Sequence, residues 1–66
     1  MTASEALAHY DAAIRMDPKA PEPWNAKGLV LLYGDRKTEA RAAFRQALAI
    51  DPTYKPAQAN LTRAGG

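Results

Sequence analysis

Apolar residues recur at helical spacing in two segments of the chain. In each segment, two alanines, one aromatic residue and one aliphatic residue occupy positions i, i+4, i+7 and i+8, which lie along one side of a helix. These residues are Ala6, Tyr10, Ala13 and Ile14 in the first segment, and Ala40, Phe44, Ala47 and Leu48 in the second. No segment alternates apolar and polar residues as a half-buried β-strand does. The pattern therefore predicts an all-α fold.

Local start and stop signals extend this pattern to four helices. Thr2 and Glu5 match a capping box, Pro21 is suited to a first helical turn, and an Asp-Pro pair ends each of the two apolar segments. Gly34 is expected to end the second helix, and Asp35 is expected to cap the third. The expected helices cover residues 3–16, 22–33, 36–50 and 55–64. Their short connections predict antiparallel neighbours.

The first and third helices are copies of one sequence unit. Residues 4–20 align with residues 38–54 at a single offset of 34, and six of the 17 aligned pairs are identical. The identical pairs are Glu5/Glu39, Ala6/Ala40, Ala8/Ala42, Ala13/Ala47, Asp17/Asp51 and Pro18/Pro52. Tyr10 and Phe44 form one of four further pairs that are similar in size and character. A fixed period of this length indicates a repeat architecture of stacked helices.

Six residues occupy positions 4, 8, 20, 24, 27 and 32 of a 34-residue unit that runs from Pro21 to Tyr54. They are Trp24, Gly28, Ala40, Phe44, Ala47 and Pro52. This set resembles the tetratricopeptide repeat. Lys27 stands where the family usually has Leu, and Leu31 stands where it usually has Tyr. Gly28 and Ala40 are small, as the resemblance implies where the two helices of a unit approach closely.

The resemblance implies an antiparallel helix-turn-helix repeat, an α-solenoid fragment, in a single domain. It divides the chain into a half repeat at residues 1–20, a full repeat at residues 21–54 and a capping helix at residues 55–66. The last helix has Gln58 and Thr62 where the residues equivalent to Trp24 and Gly28 would recur. A polar helix of this kind closes the end of a stack.

The same resemblance implies a protein-interaction module, because family members hold peptides, often extended, in a concave groove lined by the first helix of each unit. Carried onto this chain, the groove comprises Glu22, Asn25, Leu29, Leu32 and Tyr33 from the second helix, with Ala59, Asn60 and Arg63 from the last. Asn25 is the favoured contact, since its amide can both donate to and accept from an extended backbone. The alternative is that Asn25 is an exposed helix residue with no ligand. Some members grip a terminal carboxylate with basic and amide groups, a set that Glu22 and Leu29 do not reproduce.

Residues that carry chemistry are few. The chain has one histidine, His9, and no cysteine, so we expect no enzyme activity, no metal site and no cofactor. Nine Lys and Arg residues against seven Asp and Glu give a mild net charge of +2. Four basic residues form a strip along the third helix: Arg36, Lys37, Arg41 and Arg45. No aromatic residues alternate with this strip to stack on bases, and we expect a solvated outer surface rather than nucleic-acid binding.

Membrane signals are also missing from the sequence. No apolar run reaches the length needed to span a bilayer, and residues 1–5 lack the basic-then-apolar layout of a secretory signal. The expectation is a cytoplasmic protein with no membrane partner.

The first helix corresponds to the second half of a unit whose first half is absent. The side that would meet the absent helix has no cover in the chain, and Leu7, Met16 and Ala3 are the apolar residues expected there. Burying one large aliphatic side chain contributes about 1.5–3 kcal/mol, comparable with the whole stability of a domain this small. We therefore expect homo-oligomers in addition to binding of a protein or peptide. The alternative is a purely structural unit that assembles with itself and binds no peptide.

Overall fold

The computed structural model describes residues 1–66, and four α-helices account for most of them. The helices are α1 (Ala3–Met16), α2 (Pro21–Tyr33), α3 (Lys37–Ile50) and α4 (Lys55–Arg63). Each bound lies within one residue of the bound expected from the sequence, and no β-strand is present. The all-α prediction is therefore confirmed.

The helices pack largely in chain order. α2 lies at the centre of the fold, with α1 on one side and α3 on the other, while α4 packs on α3 and to a smaller extent on α2. α1 packs on α2 alone and contains no buried residue. One end of the stack is therefore closed by a short helix, and the other end leaves much of α1 uncovered.

Local hydrogen bonds begin and end the two repeated helices. The Glu5 N–H donates to Thr2 Oγ1, and the Thr2 N–H donates to Glu5 Oε1, both at 3.1 Å, which confirms the capping box at the start of α1. The N–H of Thr2 lowers the pKa of the Glu5 carboxyl by stabilising its charged form. At the helix ends, Asp17 accepts from the Lys19 N–H and Asp51 accepts from the Thr53 N–H. The turn after each helix is thus repeated at the offset of 34.

The connection between α2 and α3 differs from the sequence expectation. Asp35 does not cap α3, since Arg36 precedes that helix and no side chain accepts from its first turn. Asp35 instead adopts a left-handed conformation with φ +60°. Its N–H donates to the Leu32 carbonyl, and the Arg36 N–H donates to the Leu31 carbonyl at 2.8 Å. Asp35 therefore belongs to the C-terminal motif that closes α2. Its left-handed backbone is incompatible with the extended conformation that an N-cap residue of α3 would need.

The core forms where α2 meets α3. Phe44 has no exposed surface, and it packs with Leu31, Ala40 and Ala43. A methyl group added to Gly28 would come within 2.6 Å of Cδ1 of the Phe44 ring. The two helices can approach this closely because Gly28 has no side chain and Ala40 has a small one, as the resemblance implied.

α4 packs through small side chains and is secured by α3. Its Ala57 is buried and Ala64, which follows the helix, has 1% of its surface exposed, whereas Gln58 and Thr62 are exposed. Nη1 of Arg41 donates to the Ala64 carbonyl oxygen at 2.8 Å. This bond satisfies a carbonyl at a helix end that would otherwise lack an intrahelical partner.

Candidate partner-binding surface

The residues predicted for a groove fall on α2 and α4, two helices that contact each other. Glu22, Tyr33 and Arg63 are exposed, and Tyr33 leaves 76% of its surface free. Leu29 and Leu32 are half-buried, since both pack against the core cluster around Phe44. The two leucines therefore connect this surface to the core, and only part of each side chain is accessible to a ligand.

Asn25 and Asn60 join α2 to α4 through a side-chain hydrogen bond. Nδ2 of Asn60 donates to Oδ1 of Asn25 at 2.9 Å, and each residue exposes only 8% of its surface. Asn25 is therefore a buried partner of Asn60, unlike the exposed helix residue of the alternative prediction. The sequence predicts both residues on one surface but does not predict their hydrogen bond. The available signal was the presence of an asparagine on each of the two helices at adjacent repeat positions.

The amide pair leaves one nitrogen and one oxygen without a hydrogen-bond partner. The remaining groups are Nδ2 of Asn25 and Oδ1 of Asn60, and neither makes a hydrogen bond within the chain. No fully buried side-chain nitrogen or oxygen lacks a partner. Both groups must therefore keep some contact with solvent at the junction of α2 and α4.

A separate cleft lies between α2 and α3 on the side away from α4. It has a volume of about 300 Å³ and is lined by Trp24, Lys27, Leu31, Glu39, Ala42, Ala43 and Gln46. Nζ of Lys27 lies 5.4 Å from the centre of the Trp24 ring and 2.7 Å from Oδ1 of Asp11 on α1. This cleft was not predicted from the sequence, although the replacement of the family's usual Leu by Lys27 was a signal of local polarity.

The basic strip of α3 is divided by its own partners. Arg36 forms a two-pronged ion pair with Glu39, at 2.8 and 2.6 Å, which raises the pKa of Arg36 and lowers that of Glu39. Arg41 donates to the Ala64 carbonyl described above. Lys37 and Arg45 have neither a hydrogen bond nor an ion pair from their side chains. The strip therefore presents two free cations rather than a continuous basic surface.

The remaining features that carry chemistry are isolated from one another. His9 is exposed, and its ring meets the edge of the Tyr10 ring with centroids 5.3 Å apart. No group of three His, Asp or Glu side chains is arranged to hold a metal ion. None of the four helices combines the length and the apolar character needed to cross a membrane.

The two residues predicted for self-association occupy different environments. Met16 exposes 87% of its surface at the end of α1. Leu7 is half-buried and packs against the core cluster, so it faces α2 rather than the uncovered side of α1 on which it was expected. The reason is its place in the repeat: its counterpart 34 residues later is Arg41, which also turns toward the following helix.

The comparison with protein families identifies the architecture. The family model described as Tetratricopeptide repeat matches residues 3–55, a span that contains α1, α2 and α3. Comparisons with curated proteins and with solved structures gave no match. Repeats of this type are in general protein–protein interaction modules without catalytic activity. Because the match covers more than half of its residues, the chain belongs to the tetratricopeptide repeat family.

Proposed function

We propose that this chain binds an extended segment of a partner protein along the surface formed by α2 and α4, and that it also associates with itself. The single observation that carries the peptide-binding proposal is the Asn25–Asn60 pair. Its two side chains are hydrogen-bonded to each other, and the amide nitrogen and carbonyl oxygen left without a partner are not fully buried.

The chemistry of this pair suits a peptide backbone. Each residue of an extended chain offers one carbonyl acceptor and one N–H donor. Nδ2 of Asn25 can donate to the carbonyl, while Oδ1 of Asn60 can accept from the N–H. The hydrogen bond between the two amides holds them in place before the ligand arrives, which reduces the entropy lost on binding.

Side chains around the pair give the surface its selectivity. Glu22 and Arg63 carry opposite charges on the two helices, and the exposed ring of Tyr33 offers apolar contact. A partner segment with charged side chains of both signs around an apolar residue fits this arrangement. Backbone contacts supply the common part of the affinity, and these three residues distinguish one segment from another.

Selection of peptides against the immobilised chain, followed by NMR of the labelled protein, tests the peptide-binding proposal. The sequence has only four side-chain amides, those of Asn25, Asn60, Gln46 and Gln58, so their signals can be followed individually. We expect a selected peptide to shift the side-chain signals of Asn25 and Asn60 and to leave the Gln46 signal unchanged. Shifts confined to other parts of the chain would contradict the proposal.

Substitution supplies the second arm of this test. Asn25→Ala should weaken binding of the selected peptide by about tenfold or more. It removes the Nδ2 donor to the peptide carbonyl, and it leaves Nδ2 of Asn60 without its acceptor. Gln46→Ala removes an amide from α3 and is the matched control, with no expected effect. The loss of Asn25 also leaves Asn60 unpaired, so circular dichroism must first establish that the variant is folded.

A purely structural role is the second candidate. It is favoured by the placement of α1, which packs on α2 alone and leaves Met16 exposed. In this case the chain would assemble in a concentration-dependent way, and no peptide would shift the Asn25 and Asn60 signals. The same NMR titration therefore separates the two functions.

A further inference from the structure

A series of three hydrogen bonds connects α3 to α2 through the end of α4. Nη1 of Arg41 on α3 donates to the Ala64 carbonyl oxygen at 2.8 Å, and the Ala64 N–H donates to the Asn60 carbonyl oxygen at 2.9 Å. Nδ2 of Asn60 in turn donates to Oδ1 of Asn25 on α2. The residue that completes the amide pair therefore lies about one helical turn from the residue that Arg41 holds.

Arg41 is itself held in place on α3. Its side chain is half-buried, and Nη2 donates to Oγ1 of Thr38, one turn earlier, at 3.3 Å. The side chain runs along the residues that follow α4, because a methyl group on Gly65 would lie 3.6 Å from Nη1 and one on Gly66 would lie 3.2 Å from Cδ. The guanidinium therefore reaches the Ala64 carbonyl from an anchored position.

The internal repeat shows which residue Arg41 replaces. Its counterpart 34 residues earlier is Leu7, which packs against the core cluster and faces α2. Apolar contact has no preferred direction, whereas a hydrogen bond to one carbonyl sets both a distance and a position along the helix. At this place in the repeat, α4 is therefore attached by a directional bond, while α2 is attached by apolar packing.

Few other contacts fix the position of α4. It is a helix of nine residues without a side-chain N-cap, and helices shorter than about 12 residues are marginally stable on their own in water. The buried apolar residues Ala57 and Ala64 each present a single methyl group. Leu61 is the one large side chain that α4 packs against the core cluster, and it is half-buried.

We propose that Arg41 is a positioning residue for the peptide site, because it holds the end of α4 on α3 and so sets the place where Asn60 meets Asn25. This inference rests on the proposed peptide-binding function and adds to it a residue that does not touch the peptide. Attachment of α4 and peptide binding are then linked, since a peptide held by both asparagines also holds α4 against α2.

Side-chain amide NMR of the free chain is the first test. Arg41→Met keeps an unbranched side chain but removes the donor, and it should shift the signals of Asn25 and Asn60 in a chain that circular dichroism shows to be folded. Arg45→Met is the matched control, because it removes the same charge one turn along α3 from an exposed residue, and it should leave both signals in place. Arg41→Lys keeps a cationic donor and should bring the signals back toward their wild-type positions. If Arg41→Met does not fold, Arg41→Gln takes its place with the same expected shift.

Peptide affinity is the second test. Arg41→Met should weaken binding of the selected peptide by at least about threefold. In the Asn60→Ala background the amide pair is already lost, so the same substitution should weaken binding less than it does in the wild type. Equal losses in the two backgrounds would overturn the claim that Arg41 acts through Asn60.

The outcomes separate this inference from the proposed function. If Arg41→Met leaves the Asn25 and Asn60 signals and the peptide affinity at the values of Arg45→Met, the positioning role is overturned and peptide binding stands. If no selected peptide shifts the two asparagine signals, the proposed function fails. The role of Arg41 in binding then fails with it, even where Arg41→Met moves the amide pair in the free chain.

Discussion

Replacement of Gly28 by alanine tests the closest helix approach in the fold. The added methyl group would come within 2.6 Å of Cδ1 and 2.8 Å of Cζ of the Phe44 ring. Real carbon atoms do not approach this closely, so either the ring or one helix must move. Phe44 has no exposed surface and is surrounded by Leu31, Ala40 and Ala43, which leaves the ring little space to retreat.

Two opposing effects set the size of the change. Overpacking of a close-packed core costs about 1–3 kcal/mol. Alanine in place of glycine inside a helix recovers roughly 0.5–1 kcal/mol, mainly because the unfolded chain loses freedom. The overlap at Gly28 involves three ring atoms, so the cost should dominate. We expect a net loss of about 1–2 kcal/mol in the free energy of unfolding, which lowers Tm by about 4–8 °C for each kcal/mol.

Urea and thermal unfolding followed by circular dichroism would measure this loss. Gly34→Ala is the matched control, because a methyl group there meets only the carbonyl oxygens of Val30 and Leu31, at 3.4 and 3.6 Å, and the backbone φ of −86° suits any residue. The control should be unchanged or slightly more stable. In a double-mutant cycle, Phe44→Leu should cost less in the Gly28→Ala background than in the wild type. A Gly28→Ala variant at least as stable as the wild type would refute the packing argument.

Two further predictions concern helix ends. Asp35→Gly should raise the free energy of unfolding by up to about 1 kcal/mol, measured by urea unfolding, because Asp35 has φ +60° and glycine adopts that conformation without a steric cost. At the equivalent place after α4, the chain itself has a glycine, Gly65, with φ +89°. A loss of stability in Asp35→Gly would contradict the prediction. The second prediction concerns pH. Because the pKa of Glu5 is lowered in the folded chain, the capping box stabilises α1 above the unfolded-state pKa, near 4.5, and this contribution is lost as pH falls through the lower folded-state value. The Thr2 amide signal should follow that titration, and the titration should disappear in Glu5→Gln; an identical titration in both would count against it.

Local signals explain why the helices could be predicted. A capping box and an Asp-Pro pair act within a few residues, so the bounds of α1 follow from the sequence alone. The close approach of α2 and α3 at Gly28 and Ala40 also followed, since the resemblance to a known helical unit assigned both positions to small residues. In each case the physical cause lies either within one helix or within one repeat.

The parts that were not predicted depend on choices between equivalent local solutions or on tertiary geometry. Gly34 and Asp35 both tolerate a left-handed backbone, and nothing local decides which of the two adopts it. The bond between Asn25 and Asn60 joins residues on separate helices, and its existence depends on how closely α4 approaches α2. The inward orientation of Leu7 depends on the rotation of α1 about its own axis.

The ion pair between Lys27 and Asp11 helps to set the rotation of α1 about its own axis, in addition to its contribution to stability. Both side chains are partly exposed, so the pair contributes only about 0–1 kcal/mol to stability. Its 2.7 Å distance, however, requires the Asp11 side of α1 to face α2. Asp11 and His9 are two residues apart and therefore lie on nearly opposite sides of the helix. A weak ion pair at Asp11 thus orients α1 about its axis. It keeps the opposite side of the helix, with His9, turned outward, where a partner can bind.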